Sequence, residues 1–450
     1  MSAQNQVALP MSKSAGVSDA EAATESWSLK LLTGERIRRW SLRSGFALLD
    51  QGLTSGAGFL INLLLARWLP ADLYGAFAVA FAGSLFVSGF HNVLLLEPLS
   101  VIGPARHFSS LPQYFRAQIR VHWILVGIFS GLVLPPSFVL WRTSPSNPLA
   151  GSLVGGALAL PCVLLLWLAR RMCYAMQHPR TASLGAAIYL SLVVVGLVAL
   201  RLMGRASPFG AFVLLGCCSF VAALVIFRQL GLLWAAPVGQ LAMSWRAVLH
   251  ENWKYGRWLV ASAALFSVAA QTQIFLIPVF LGLGAAGILR AMQIPALVMT
   301  QIVAAIGLLV LPALAHDFGQ GHHLRLRRKA ILVSSSLAAI AACFALALWI
   351  LSVSAEHLLY GEKYVQYTGL IPILALTPLA NGVSVGFSSA LRASQRPHFD
   401  LIANAIAAPV CILSVIVLMR PWGLVGAAAS IVLTSLTTSV VLGYFFWRQT

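Results

Sequence analysis

The chain has 450 residues, of which 59% are hydrophobic and only 9% charged, and 30 Lys+Arg against 12 Asp+Glu give a formal net charge of +18. Soluble domains carry roughly 25% charged residues, so this composition cannot dress a water-exposed surface. It excludes a disordered chain, a collagen-like chain, a disulfide-built secreted domain and most soluble enzymes. In a soluble protein the cation surplus would point to nucleic acid; among long apolar runs it points to membrane topology and anionic lipid headgroups, and no nucleic-acid partner is expected.

Residues 1–25 are polar and read as a disordered tail without the apolar core of a cleavable signal. Residues 26–43 mix Trp27, Leu29, Leu32, Ile37 and Trp40 with Lys30, Arg36, Arg38 and Arg39, the pattern of an interfacial amphipathic helix. A bilayer crossing needs about 20 mostly apolar residues. Twelve such stretches follow, at 44–67, 73–96, 121–140, 149–169, 182–200, 208–227, 258–281, 285–314, 330–353, 368–391, 401–419 and 422–446. The expected fold is an all-α polytopic membrane protein. Residues 1–43 form a tail and amphipathic helix, 44–227 a six-helix bundle, 228–257 a cytoplasmic linker lying on the membrane, and 258–450 a second six-helix bundle.

Charge arithmetic tests the span count. If the N-terminus is cytoplasmic, that side carries 23 of the Lys and Arg residues and the other side six (Arg67, Arg142, Arg201, Arg205, Lys363 and Arg420), with Arg290 left inside a span. The asymmetry alternates loop by loop, which places both termini in the cytoplasm. The six cysteines sit in or beside spans without metal-ligand spacing and read as small apolar packing residues, so no metal and no cofactor is expected.

The two sets of six spans resemble each other. At a constant offset of 212, Leu69 meets Leu281 and Gly75 meets Gly287, each pair in a very short external turn. Six spans per half make this a parallel repeat about an axis along the membrane normal, an arrangement that encloses a cavity near the midplane. Polar residues inside spans form stripes on single helical faces: Asp50, Thr54, Gly58 and Asn62 in span 1, Ser84, Ser88, His91 and Asn92 in span 2, and Ser267 and Gln271 in span 7, with Gln273 nearby. Span 8 adds Arg290, Gln293, Thr300 and Gln301, and span 10 adds Thr377, Asn381, Ser384 and Ser388. Single Ser or Thr residues glue helices together; matched stripes in both halves favour a hydrated lining.

Arg290 has two readings from its depth. It either snorkels to the external headgroups or stands in the cavity as a phosphate-holding guanidinium. Asp50, His91 and Glu97 lie at similar depth in neighbouring spans and suggest one titratable cluster, either a proton- or cation-coupling site built on Asp50 and His91 or a structural pair at the rim. Walker A, HExxH, CxxC and GxSxG motifs are absent, and the longest external loop, 354–367, is too small for a catalytic domain. A transporter is expected, not an enzyme.

The stretch ALLDQGLTSGAGFLINLLLARWLPADLYGAFAVAFA, Ala47 to Ala82, resembles the start of bacterial polysaccharide (O-antigen and exopolysaccharide) flippases of the multidrug/oligosaccharidyl-lipid/polysaccharide exporter superfamily. The likeness rests on Asp50-Gln51, Asn62 beside Phe59, the LLAR exit and a turn ending in Tyr74-Gly75. AAGILRAMQIP, Ala285 to Pro295, adds to it, with Ile288 where the family often has an aromatic. The resemblance implies two bundles facing each other across a V-shaped cavity. It implies an undecaprenyl-diphosphate-linked oligosaccharide as substrate, flipped from the cytoplasmic to the periplasmic leaflet of the inner membrane by alternating access. Arg290 with Gln271, Gln273, Gln293, Gln301, Asn381 and Asn62 would line the path, and a polysaccharide polymerase and export machinery would be partners alongside membrane lipids. The rival readings are a drug/cation antiporter of the same superfamily, a peptidoglycan-lipid flippase, and a membrane glycan polymerase or ligase.

Overall fold

A computed structural model describes residues 45–232 and 243–449. The expected tail and amphipathic helix at 1–43, and the middle of the expected linker, lie outside the described residues.

In a bilayer every backbone N–H and C=O must be satisfied within the segment, which leaves helices as the economical solution for apolar runs of this length. The described chain is accordingly helical: α1 (Gly45–Trp68), α2 (Ala71–His91), α3 (Glu97–Arg106), α4 (Leu111–Thr143), α5 (Pro148–Ala175), α6 (Pro179–Leu202), α7 (Pro208–Gln229), α8 (Trp245–Gly319), α9 (His323–Ile350), α10 (Ser352–Tyr360), α11 (Leu370–Ala393) and α12 (His398–Gln449). A five-residue π-turn, Asn92–Leu96, joins α2 to α3, so that 71–106 runs as one rod. Local chemistry sets the starts. Pro148, Pro179 and Pro208 each occupy the first helical position, where a missing N–H costs nothing, and the Asn147 and Ser207 side chains accept from Leu149 N at 3.0 Å and Gly210 N at 3.1 Å. Pro161 inside α5 deprives the Ala157 carbonyl of its helical donor, and Ser130 Oγ on α4 supplies one at 3.4 Å.

Among the described residues, ten helices are long and apolar enough to span a membrane. Two of them, α8 and α12, double back at a single non-helical glycine, Gly282 (φ 85°) and Gly423 (φ 52°), conformations that a residue with a Cβ adopts only under strain. A straight α8 would hold Gln273 and Gln293 about 30 Å apart, yet both line one cavity. Likewise a Cβ on Gly426 would lie 3.0 Å from Met419 N, across the Gly423 turn. Twelve crossings result, so α1 starts and α12 ends on the same face, here termed the terminal face. Where the sequence suggests a linker lying on the membrane, 245–257 is instead the first part of α8, with Val248 in the apolar core of the N-terminal half.

The repeat is visible as a contact. A Cβ on Gly75 would lie 2.8 Å from the Leu283 carbonyl carbon and 3.0 Å from Gly287 N; one on Gly287 would lie 3.1 Å from the Ala71 carbonyl carbon and 2.9 Å from Gly75 N. Ala71 and Leu283, like Gly75 and Gly287, are partners at the offset of 212, and so are Asp72 and Gly284, which also meet. α2 and the 283–319 arm of α8 therefore cross backbone against backbone on the repeat axis. Around this crossing Ile61, Leu65 and Phe77 of the first half share a buried apolar cluster with Leu289, Tyr360 and Leu370 of the second. The halves are sealed at the face opposite the termini. Toward the terminal face they diverge around cavities of about 600 Å³ and 510 Å³, so the cleft is a V with its point away from the termini.

On the terminal face one edge of the V is tied. Glu251 on α8 receives Arg106 Nη1 at 3.0 Å and pairs with His107 Nε2 at 3.0 Å, and Asn252 exchanges hydrogen bonds with Gln118 at 3.0 and 3.2 Å. Partial burial alone would raise the Glu251 carboxyl, but the His107 and Arg106 hydrogen bonds outweigh it and hold the group below its ordinary range.

Gly75→Ala is expected to force the α2–α8 backbones apart at a cost of about 1–3 kcal/mol, whereas Gly83→Ala, with nothing within 4 Å of its added methyl, leaves stability unchanged or slightly raised. Thermal unfolding of the two purified variants in one detergent checks this.

Candidate functional site

Just beyond the crossing, between the halves, lies a cavity of about 110 Å³. A water needs only about 10–15 Å³, so several fit. Its polar wall comes entirely from α8. Gln271 and Gln273 stand on the arm before the Gly282 turn, Arg290 and Gln293 on the arm after it, and α2 closes the other side with Phe81 and Leu85. The i, i+3 spacing puts Arg290 and Gln293 on one helical face, and Arg290 Nη1 donates to Gln293 Oε1 at 2.9 Å. Gln273 is steadied by donation to Thr434 Oγ1 at 3.3 Å. Asn62 of α1 joins indirectly: Tyr74 donates to Asn62 Oδ1 at 3.2 Å, and its hydroxyl lies beside the Arg290 guanidinium. Arg290 thus turns inward to the cavity and not outward to the headgroups.

Gln301 and Asn381 are not part of this cavity wall. Gln301 is exposed, about 12 Å further along the helix than Gln293, and Asn381 stands on α11. The cavity offers one guanidinium, with donors in a planar fork, and three carboxamides that both donate and accept. This set suits an oxyanion bearing hydroxylated groups.

Asp50, His91 and Glu97 do not form one cluster. Asp50 is fully buried and takes both Arg170 Nε at 3.0 Å and Arg170 Nη2 at 2.7 Å, with Tyr174 OH donating at 2.5 Å. The three line the edge of the 600 Å³ cavity. His91 instead faces His122 of α4, Nε2 to Nδ1 at 2.9 Å, with both rings buried. Glu97 receives Asn92 Nδ2 at 3.2 Å across the π-turn, whose five-residue period brings the two together. The sequence counts Arg170 only as a topological cation and does not single out Tyr174 or His122. Their partners lie 120, 124 and 31 residues away, and no local pattern signals such pairings.

No family model and no curated protein matches the sequence. Solved structures do match in shape. A structure of the lipid II flippase MurJ in an inward closed conformation superposes with a TM-score of 0.70 at 11% identity, covering 91% of this chain and 87% of that one. An inward-facing multidrug resistance MATE family transporter of the MOP superfamily gives 0.67 at 14% identity, covering 90% and 98%. A eukaryotic MATE transporter gives 0.66 at 15%, covering 92% and 96%. The fold is that of the MOP-superfamily transporters. At such identities the likeness extends to architecture and not to ligand, and within the MOP fold the two kinds of neighbour are matched almost equally well.

Asp50→Asn removes the counter-charge from an Arg170 side chain that is 13% exposed, and leaving such a cation unpaired costs about 3–5 kcal/mol, toward the lower end here because Arg170 borders an open cavity. The double variant Asp50→Asn/Arg170→Met is expected to regain much of the loss. The midpoints of thermal unfolding of the single and double variants give the comparison.

Proposed function

We propose that this chain flips an undecaprenyl-diphosphate-linked oligosaccharide from the cytoplasmic to the periplasmic leaflet of a bacterial inner membrane by alternating access, for polysaccharide export. The observation that carries the reading is the charge of the inner cavity. Arg290 is the one ionisable residue among the described residues around it, and it stands with three carboxamides and no carboxylate. A diphosphate head is met by the guanidinium, the sugars by the amides.

Two further features support an amphiphile. The larger cavity opens toward the terminal face, which the positive-inside pattern assigns to the cytoplasm. Its rim carries Leu48 and Leu309, 53% and 62% exposed, on α1 and α8, apolar edges along which a prenyl chain stays in lipid. Polysaccharide polymerase and export proteins are the partners this role requires. Coupling through Asp50 or His91 belongs to the same proposal: Asp50 is engaged by Arg170 in this state, so cation binding there requires that pair to part, while His91 is hydrogen-bonded to His122.

The MATE-like alternative, exchange of a cationic drug against an ion, asks for a free carboxylate; Asp50 holds Arg170 and Asp400 holds Arg392, while Glu97, hydrogen-bonded to Asn92, lines the 510 Å³ cavity and not the Arg290 cavity. Proteoliposomes carrying the purified protein decide between them, with a fluorescent polyprenyl-diphosphate oligosaccharide and a cationic dye as parallel substrates. Flipping of the former with no dye transport is expected. Loss of charge-assisted hydrogen bonds costs about 2 kcal/mol, so Arg290→Ala is expected to weaken head-group binding roughly thirtyfold and abolish flipping while the protein remains in the membrane; Arg290→Lys restores part. Full flipping by the alanine variant, or transport of the dye alone, refutes the reading.

A further inference from the structure

The last carbonyls of a helix have no partners within it. At the end of α1 the sequence makes this worse. The donor that a continuing helix would bring to the Ala66 carbonyl is the N–H of residue 70, and residue 70 is proline. The second half supplies the missing donors. Lys363 Nζ donates to Ala66 O at 2.7 Å and also to Leu69 O, and Tyr364 OH donates to Ala66 O at 3.1 Å. Arg67 Nη1 returns a hydrogen bond to Leu358 O at 3.4 Å.

The segment that delivers these groups, α10 and the turn after it, is held in shape from beneath. Tyr364 N donates to Glu356 Oε1 at 2.7 Å, Tyr360 OH donates to Ala291 O at 2.6 Å, and the Lys363 ammonium lies 4.8 Å from the centre of the Tyr364 ring. An ammonium at a helix C-terminus also meets the negative end of the helix dipole. All of these joins tie the second half to the first, or brace those that do, and all lie on the face opposite the termini, over the Gly75–Gly287 crossing and the Arg290 cavity.

We propose that Lys363 is the gating residue of that face: its ammonium, with Tyr364, latches the carbonyl end of α1 to the 352–367 segment, and release of the transported molecule requires the latch to part. The inference rests on the alternating-access reading but not on the identity of the substrate. The contact suits a gate because both sides are exchangeable for water. Once the halves separate, the ammonium and the orphaned carbonyls rehydrate, whereas an apolar seam of the same size would resist opening. Lys363 and Tyr364 lie outside the transport cavity, so their substitution changes access and not head-group recognition.

Accessibility tests this separately from transport. In a background with the exposed Cys217 and Cys343 changed to serine, Gln293→Cys places one thiol in the inner cavity. A membrane-impermeant maleimide small enough to pass the outer membrane is then added to intact cells, in which the charge pattern places this face toward the periplasm. Labelling is expected to be slow in the parent, about tenfold faster with Lys363→Met, intermediate with Lys363→Arg and raised with Tyr364→Phe, which removes one hydroxyl and leaves the packing intact. A second arm joins Arg67→Cys to Leu358→Cys with a short reducible bis-thiol crosslinker, and flipping is expected to stop when the link forms and to return when it is cut. Unchanged labelling in both Lys363→Met and Tyr364→Phe, or full flipping with the link in place, overturns the latch. Faster labelling in a protein that flips no diphosphate lipid supports the latch and removes the substrate reading instead.

Discussion

Two helix backbones approach most closely where glycine removes the side chain at the crossing. On the repeat axis Gly75 of α2 and Gly287 of α8 face each other in this way. The crossing fixes the point of the V. It brings the apolar ends of both halves into one cluster at the face opposite the termini, and it sets the Gly282 turn so that both arms of α8 face the cleft. The inner cavity exists because α8 folds back there. Without the turn, Gln271 and Gln273 would stand far from Arg290 and Gln293, and no polar wall would form.

Charge is distributed to match this frame. Moving ions out of water costs several kcal/mol each, and the chain meets that cost by pairing. Asp50 is closed by Arg170 and Tyr174, Asp400 by Arg392, and Glu251 by Arg106 and His107. Arg290 lacks an acidic partner among the described residues of its cavity and leans on a carboxamide. The cleft thus presents a positive charge at its deepest point, while the neutralised pairs sit along its rim. The charge of the inner cavity is set by which charges are left over, more than by how many the sequence contains.

The two faces are held by different chemistry. Opposite the termini, the halves share backbone contact, an apolar cluster and hydrogen bonds from Lys363 and Tyr364 to the Ala66 carbonyl, which Pro70 leaves open. On the terminal face, one edge is tied by Glu251 and Asn252 while the other edge remains open around the larger cavity. Because 245–257 packs on the first half although it continues into the second, it joins the two halves at that edge.

The spans, their number and the repeat were legible in the sequence, because a bilayer forces each crossing to announce itself as about 20 apolar residues and charge asymmetry marks the loops between. The offset of 212 located both glycines of the crossing before any contact was known, and the i, i+3 spacing already put Arg290 and Gln293 on one helical face. Depth alone, however, could not say which way Arg290 turns; only the fold-back at Gly282 and the packing of α2 decide that. Nor could depth sort Asp50, His91 and Glu97. They are near one another along the membrane normal but point around different sides of their helices, so their partners come from α5, α4 and the π-turn. Periodicity within a segment encodes burial and face, since these depend on the chain's own geometry. Pairings across 120 or 297 residues depend on how helices rotate and tilt against each other, which the tertiary structure alone determines.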